Sequence, residues 1–294
     1  MATEWNGKSR GTVLGYKIFI FCMKNLGLSS AYFVLYFVAA YFCFFSKGST
    51  KATYYYFHKR LHYPKFKALV SIYKSYFVFG QTIIDKVAIS SNLKSKFTYN
   101  FDGVERIKEV LKEKKGGILI SAHLGNFEIA EHFFGELETD TSIHLLTTDV
   151  EHTAIREYLA SVTKKPKIKI ILIKDDLSHI FEINAALTNN EIVCITGDRY
   201  IKDSKYLTQE FLGKDAKFPA GPFVIASRLK VPVLFVYVLK ESTKHYHLYA
   251  RTAHTKHRDA GALLEEFAKN LESMLKEYPL QWFNYFDFWS VNKK

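Results

Sequence analysis

Acidic residues are in short supply: 29 Asp and Glu stand against 41 Lys and Arg among 294 residues, a formal net charge of +12. That imbalance argues for an anionic partner, whether nucleic acid, a phosphorylated substrate or a lipid headgroup surface. The marks of nucleic-acid binding are missing too. There is neither paired Cys/His zinc spacing nor an RNP-like aromatic motif, so no nucleic-acid partner is expected. Cysteine is scarce, with Cys22, Cys43 and Cys194 far apart, and neither a disulfide framework nor a zinc site follows. No small-residue cleavage site of the A-x-A kind follows a short apolar core, so a cleaved secretory signal is not expected. Internal repeats, low-complexity tracts and linker-like stretches within residues 97 to 290 are also missing. That leaves one sizeable core to be buried by a chain of 48% hydrophobic content.

Aromatic residues, in contrast, make up 16% of the chain and crowd towards its N-terminus. The run from Leu26 to Ser46, LGLSSAYFVLYFVAAYFCFFS, carries no charge and has about the length a bilayer-crossing helix needs. Lys17 and Lys24 precede it, while Lys47, Lys51, Lys59 and Arg60 follow. Cations on both flanks give no preferred orientation, as when both ends of a segment stay on one side of the membrane. The pattern predicts a monotopic helical hairpin or a single anchor on the cytoplasmic leaflet. TYYYFHKRLHYPKFKALVSIYKSYFVFG then alternates aromatic clusters with Lys and Arg, which suits the headgroup level of a membrane with anionic lipids. Ordinary amphipathic helices packed on a globular body would show a similar pattern. Residues 1–96 are accordingly read as a membrane-anchoring and amphipathic helical region, and residues 97–294 as a separate globular domain.

From Gly116 onward short β-branched runs alternate with helical patterns. GGILISA, SIHLLT, IKIILI, EIVCIT, YLTQEFL, VPVLFVYVL and HYHLYAR read as strands. NFEIAEHFFGEL, EHTAIREYLASVT, DLSHIFEINAALT, PAGPFVIASRLK and DAGALLEEFAKNLESMLKEY read as helices, the last with Asp259 near its start and Pro279 beyond its end. This predicts an α/β fold, a mixed and mostly parallel sheet flanked by helices, with membrane-associated helices at the N-terminus. Reactive groups in such sheets gather where strands hand over to loops at their carboxyl ends. Three segments qualify: SAHLGNFE, TGDRY and FLGKDAKFPAGP.

In the first, His123 and Glu128 are five apart, which would set them about 140° apart on one continuous helix. His123 therefore belongs on the strand-to-helix turn, with Gly125 or Asn126 supplying the break and the N-cap. From there the imidazole can fold back to Glu128 in the first helical turn, and a carboxylate on one ring nitrogen leaves the other to accept a proton from a hydroxyl. The competing explanation is a capped helix start, in which Gly125 is the N-cap and Glu128 occupies the third position for dipole reasons alone. In the second segment Asp198 and Arg199 place an acid and a planar cation at a strand end, either to grip a phosphate or as a surface ion pair. In the third, Gly213 and Lys214 precede a loop in which Pro219 and Gly221 lead into a helix. Backbone N–H groups there can cradle an oxyanion or phosphate, although proline in a first helical turn is common without any ligand.

HLGNFE resembles the H-x4-D/E motif of glycerolipid-type acyltransferases, the lysophospholipid acyltransferase-like superfamily. The later GDR, FLG followed by FPAGP, and the terminal YPLQWFNYF resemble the branch containing the late lauroyl and myristoyl acyltransferases of lipid A biosynthesis. The likeness runs through nearly the whole chain. It implies His123 as general base with Glu128 as its partner, and Arg199, Gly213 and Pro219 to Gly221 at a substrate phosphate site. It also implies an acyl-carrier-protein or acyl-CoA thioester as donor, a lipid hydroxyl as acceptor, no metal or bound cofactor, and a place on the bacterial inner membrane facing the cytoplasm. One departure is Asp287, where that branch usually carries a basic stretch. The acceptor thus stays open among a lipid A precursor, a lysophospholipid, an amino-acid lipid and an aryl-polyene-like lipid.

A non-catalytic lipid-binding protein of the same fold, and a thioesterase or lipid hydrolase using the same dyad, are the alternatives. His245, His247, His254 and His257 cluster in sequence without a Cys or acidic ligand at metal-binding spacing. His132 reads as packing, and Cys194 in its apolar run as a small buried hydrophobe.

Overall fold

The structure is a computed structural model that describes residues 13–90, 97–130, 141–147, 168–174, 176–200, 204–254 and 256–289. Four helices come first: α1 (Val13–Leu26), α2 (Leu28–Phe45), α3 (Lys47–Tyr55), which runs into a π-helical turn at Tyr56–Arg60, and α4 (Lys65–Ser90). The strand β1 (Thr98–Asp102) and helix α5 (Val104–Lys112) follow. The chain then forms β2 (Gly117–Ser121), a short 3-10 turn (Phe127–Ile129), β3 (Ile143–Thr147), β4 (Lys169–Leu172), α6 (Ser178–Thr188) and β5 (Ile192–Thr196). After the hairpin of β6 (Tyr206–Glu210) and β7 (Asp215–Pro219) come α7 (Ala220–Arg228), β8 (Val233–Ser242), β9 (His245–Thr252) and α8 (Ala260–Glu277).

Among the described residues seven strands form one sheet in the order β1-β9-β8-β2-β5-β3-β4. Every neighbouring pair is parallel except β8 with β9, so the expected mixed, mostly parallel α/β sheet is what the chain builds. β2 and β8 are central, and their apolar residues alternate between two cores because successive side chains of a strand point to opposite faces. Ile118, Ile120, Phe235, Tyr237 and Leu239 join one cluster with Phe267, Phe223 and Trp282. Leu119, Val236 and Val238 join the other with Ile84, Val87, Ile107 and Cys194. Both faces are covered, which is why these strands read as continuous apolar runs.

The N-terminal helices belong to the same packing. The π-helical turn after α3, together with α4, supplies Tyr56, Phe57, Ala68, Ile72 and Tyr76 to the first cluster, and α1 and α2 supply Ile20, Met23, Ala31 and Leu35 to the second. α2 buries Leu28, Ala31, Tyr32, Leu35 and Ala39 at helical spacing and exposes Phe33, Phe37, Phe44 and Phe45. Among the described residues it is the one helix long and apolar enough to cross a membrane.

Four elements differ from the sequence reading. β1 and α5 lie between the N-terminal helical region and Gly116, a stretch where no strand or helix was expected. FLGKDAKFPAGP is not one loop: Asp215–Pro219 pairs antiparallel with Tyr206–Glu210 in a two-stranded ribbon separate from the main sheet. The helix expected over NFEIAEHFFGEL begins as the 3-10 turn Phe127–Ile129, and the rest of it lies outside the described residues, as does EHTAIREYLASVT.

Candidate active site

β2 and β5 run side by side in parallel register, with Ser121 opposite Thr196. Two residues beyond that pair, at the carboxyl ends of both strands, stand His123 and Asp198. Nδ1 of His123 donates to Oδ1 of Asp198 at 2.7 Å, and the His123 backbone N–H points at the same carboxylate, 3.0 Å from each oxygen. Oδ2 also accepts from Trp282 Nε1 at 3.0 Å and from Asn284 Nδ2 at 2.9 Å. Asp198 is fully buried, whereas the imidazole above it keeps 28% of its surface exposed. Burial alone would push the Asp198 carboxyl up. The neighbouring imidazole, the Arg199 charge and the Trp282 N–H outweigh it, holding the group at about 2. An ionised carboxylate accepts only, so Nδ1 carries the proton and Nε2 is the basic nitrogen of the neutral ring.

The loop that carries His123 is pinned on both sides. His123 O accepts from Phe283 N at 2.8 Å, Gly125 N donates to Gln281 O at 2.9 Å and Asn126 N donates to Val238 O at 2.8 Å. Gly125 has φ +74°, and a Cβ there would sit 2.1 Å from Val238 O, so only glycine lets the loop approach β8 this closely. Asn126, not Gly125, is the N-cap of the short 3-10 turn. Its side chain caps nothing and donates instead to Thr82 O of α4 at 2.8 Å. Gly125 and Asn126, expected to supply the break between strand and helix, thus spend these groups holding the loop. The Glu128 side chain lies outside the described residues.

Arg199 turns to the C-terminal segment, donating from Nε to Asn284 Oδ1 at 3.0 Å and from Nη2 to Phe283 O at 2.9 Å. Gly213 and Lys214 lie at the tip of the β6–β7 ribbon and meet the N-terminal helices: Arg60 Nη1 donates to Gly213 O at 3.3 Å and Lys214 Nζ donates to Tyr55 Oη at 3.2 Å. Pro219 ends the ribbon as the N-cap of α7, and Gly221 lies in the first turn of that helix. Phe211 joins the ribbon to the site, its ring 5.6 Å from that of Trp282. The structure therefore brings His123, Asp198, Arg199 and the loop residues together directly, and the ribbon through an aromatic wall.

Residues that sequence reasoning missed are Trp282 and Asn284 as donors to Asp198, and Gln281, whose side chain clamps the Lys240 backbone at 2.9 and 2.7 Å. All three lie in the YPLQWFNYF segment, but nothing in its composition says which atoms face the histidine. A buried charge site behind the loop was missed as well. Asp85 of α4 is bound by Lys240, Tyr32 and Tyr246, and Lys240 Nζ also donates to Thr243 O at 2.7 Å. Among the described residues no group of three or more His, Cys, Asp or Glu is placed to hold a metal ion.

A partly exposed imidazole held by a buried carboxylate, at the carboxyl end of a central strand in an α/β sheet, is an arrangement that can take a proton from a hydroxyl. The chain belongs to the family of bacterial lipid A biosynthesis acyltransferases, which it matches over residues 11–289. It is thus an acyltransferase of lipid A biosynthesis type. No curated protein matches it.

Proposed function

We propose that the protein is a membrane-associated O-acyltransferase moving a fatty acyl chain from an acyl-carrier-protein or coenzyme A thioester to a lipid hydroxyl. The observation that carries this reading is the His123–Asp198 pair, which presents Nε2 as the base. The acceptor hydroxyl attacks the thioester carbonyl as Nε2 takes its proton. The tetrahedral oxyanion then collapses, the carbon–sulfur bond breaks, and the leaving thiolate recovers the proton from the imidazolium. Glu128, in the turn that follows, is assigned as a second carboxylate for that imidazolium.

The acceptor is a lipid A precursor or a related anionic lipid. Its phosphate, or the donor's, lies against the ribbon tip and the start of α7. Lys214 and Arg60 flank Tyr55 there, and Lys217 sits 4.3 Å from the centre of the Tyr206 ring. The basic surface suits an acidic carrier protein equally. The N-terminal helices anchor the enzyme to the cytoplasmic face of the inner membrane in monotopic fashion. One side of α2 packs on α4, while its Phe33, Phe37, Phe44 and Phe45, and Leu14, Ile18 and Phe21 of α1 and Phe66 and Leu69 of α4, are exposed and available to a membrane.

The test pairs detergent-solubilised wild type with His123→Ala. Both are supplied with saturated acyl-carrier-protein and coenzyme A thioesters and a total bacterial lipid extract, and thiol release and lipid mass are followed. A lipid that gains one acyl mass only with wild type names the acceptor. Thiol release matched by free fatty acid, with no acylated lipid, overturns the transfer to lipid.

A further inference from the structure

Arg199 follows Asp198 in sequence yet serves a different element. Its Nε and Nη2 are committed to Asn284 Oδ1 at 3.0 Å and Phe283 O at 2.9 Å. Asn284 is buried and is used at both ends of its amide: Oδ1 accepts from Arg199, and Nδ2 donates to Asp198 Oδ2 at 2.9 Å. An amide has two orientations, and the guanidinium selects between them. Flipped, Asn284 would aim its oxygen at a carboxylate and its NH2 at a cation, losing two charge-assisted hydrogen bonds in a buried place. Phe283 closes the circuit by donating its backbone N–H to His123 O at 2.8 Å.

We infer that Arg199 and Asn284 are positioning residues, which with Asp198 form a relay that fixes the tautomer and tilt of His123 and do not cradle a substrate phosphate. The inference rests on the acyl-transfer reading for what His123 does, but the geometry of the relay is independent of the substrate. The acid held by the relay is the one an imidazole base needs ionised beneath it. Four charged or titratable groups among the described residues bear on it or on the guanidinium beside it. They are His123 from the loop after β2, Arg199 beside it, Tyr237 of β8, whose hydroxyl burial pushes well up so that it stays neutral, and Tyr285, likewise neutral, beside Arg199. A relay and a phosphate grip predict opposite kinetics. Losing a grip on substrate weakens binding, whereas losing a relay leaves binding intact and slows the proton transfer.

The experiment compares full-length wild type, Arg199→Met, Asn284→Ala and the double variant in detergent. It measures kcat and KM for the acyl thioester and the lipid acceptor, and records 15N imidazole spectra with His123→Ala as the assignment control. Each single variant should lose about 10- to 100-fold in kcat, the scale of a lost outer-shell orienting partner, with KM for both substrates unchanged. The double variant should be no worse than the weaker single, because both residues act through one amide. The His123 nitrogen resonances should move from those of a single Nδ1–H tautomer towards those of a mixture.

A raised KM with unchanged kcat, multiplicative losses in the double variant, or unaltered imidazole resonances would overturn the relay. Should the buried Asn284→Ala substitution prevent folding, Arg199→Met at its partly exposed position decides alone by the same readouts. Wild-type protein that acylates no lipid refutes the transfer reading and not the relay. The imidazole spectra then decide the relay: it stands if they shift in the variants and falls if they do not.

Discussion

His123 and Asp198 are 75 residues apart in the chain and 2.7 Å apart in space, because each stands two residues past a register-paired partner, Ser121 and Thr196, on adjacent parallel strands. The contact is therefore built into the sheet. Replacing Asp198 by Asn keeps the shape of the site but removes the charge that holds the proton on Nδ1. Turnover of Asp198→Asn should fall on the order of 10³- to 10⁴-fold, the cost seen when a triad histidine loses its tautomer, with little change in KM. Steady-state kinetics on membranes or detergent extracts measure it, and near-normal kcat would remove Asp198 from the mechanism.

The same carboxyl gives the fold an acid sensitivity whose sign follows from its direction of shift. Its ordinary value of 3.8 is depressed to about 2 in the folded chain, so its contribution is complete above pH 4 and disappears as the pH falls through 2. The contribution is about 2 kcal/mol. Chemical denaturation of wild type between pH 4 and 2 should lose stability more steeply than Asp198→Asn does over the same range. Parallel curves would show that the group is not ionised beneath the imidazole.

Gly125 permits what a side chain would forbid. With φ +74° and Val238 O 2.1 Å from a would-be Cβ, Gly125→Ala must move the loop away from β8 and carry His123 with it. Displacement of a base by about 1 Å costs roughly 100-fold in rate, so kcat should fall by that order while the protein remains folded by circular dichroism. Unchanged activity would mean that the loop can be held without its contact to Val238.

Behind the loop, Asp85 and Lys240 are both buried, and burial pushes the acid up and the ammonium down against their mutual attraction. Asp85→Asn leaves the Lys240 ammonium buried beside neutral partners and should destabilise the protein by about 3–5 kcal/mol. Combining it with Lys240→Met should recover much of that loss. Thermal melts of the single and double variants decide between an ion pair that matters for stability and one that does not.

The exposed Phe33, Phe37 and Phe44 of α2 contribute nothing to either core. Changing all three to Asn should leave the melting temperature unchanged but lower partitioning onto vesicles of anionic lipid at least about 10-fold, since each ring is worth about 1.5–3 kcal/mol on burial. Sedimentation with such vesicles measures it, and undiminished binding would move the anchor to other residues.

Much of this was legible in the chain. Apolar runs such as GILIS and IVCIT are fully or nearly fully buried strands, because a strand covered on both faces has no room for alternation. The Leu263, Phe267 and Leu271 spacing behind the Asp259 cap is a helix that accepts one apolar contact face. His123 could be placed on a turn because five residues do not bring two side chains to one side of a helix. β1 was not legible: TYNFD alternates half-buried and exposed residues at the sheet edge, and only pairing with β9 makes it a strand.

The sequence alone determined the α/β alternation, the apolar first helices, the basic surface and the segment that carries the histidine, since each depends on local periodicity or composition. What only the tertiary structure decided is which groups meet. Parallel register set Asp198 under His123, and the chain's return along the loop placed Trp282 and Asn284 on that carboxylate. The folding of α4 against β8 and β9 joined Asp85 to Lys240. Hydrogen bonds reach only about 3 Å, and contacts between residues 75 to 161 positions apart are set by sheet order and helix docking, which no local pattern encodes.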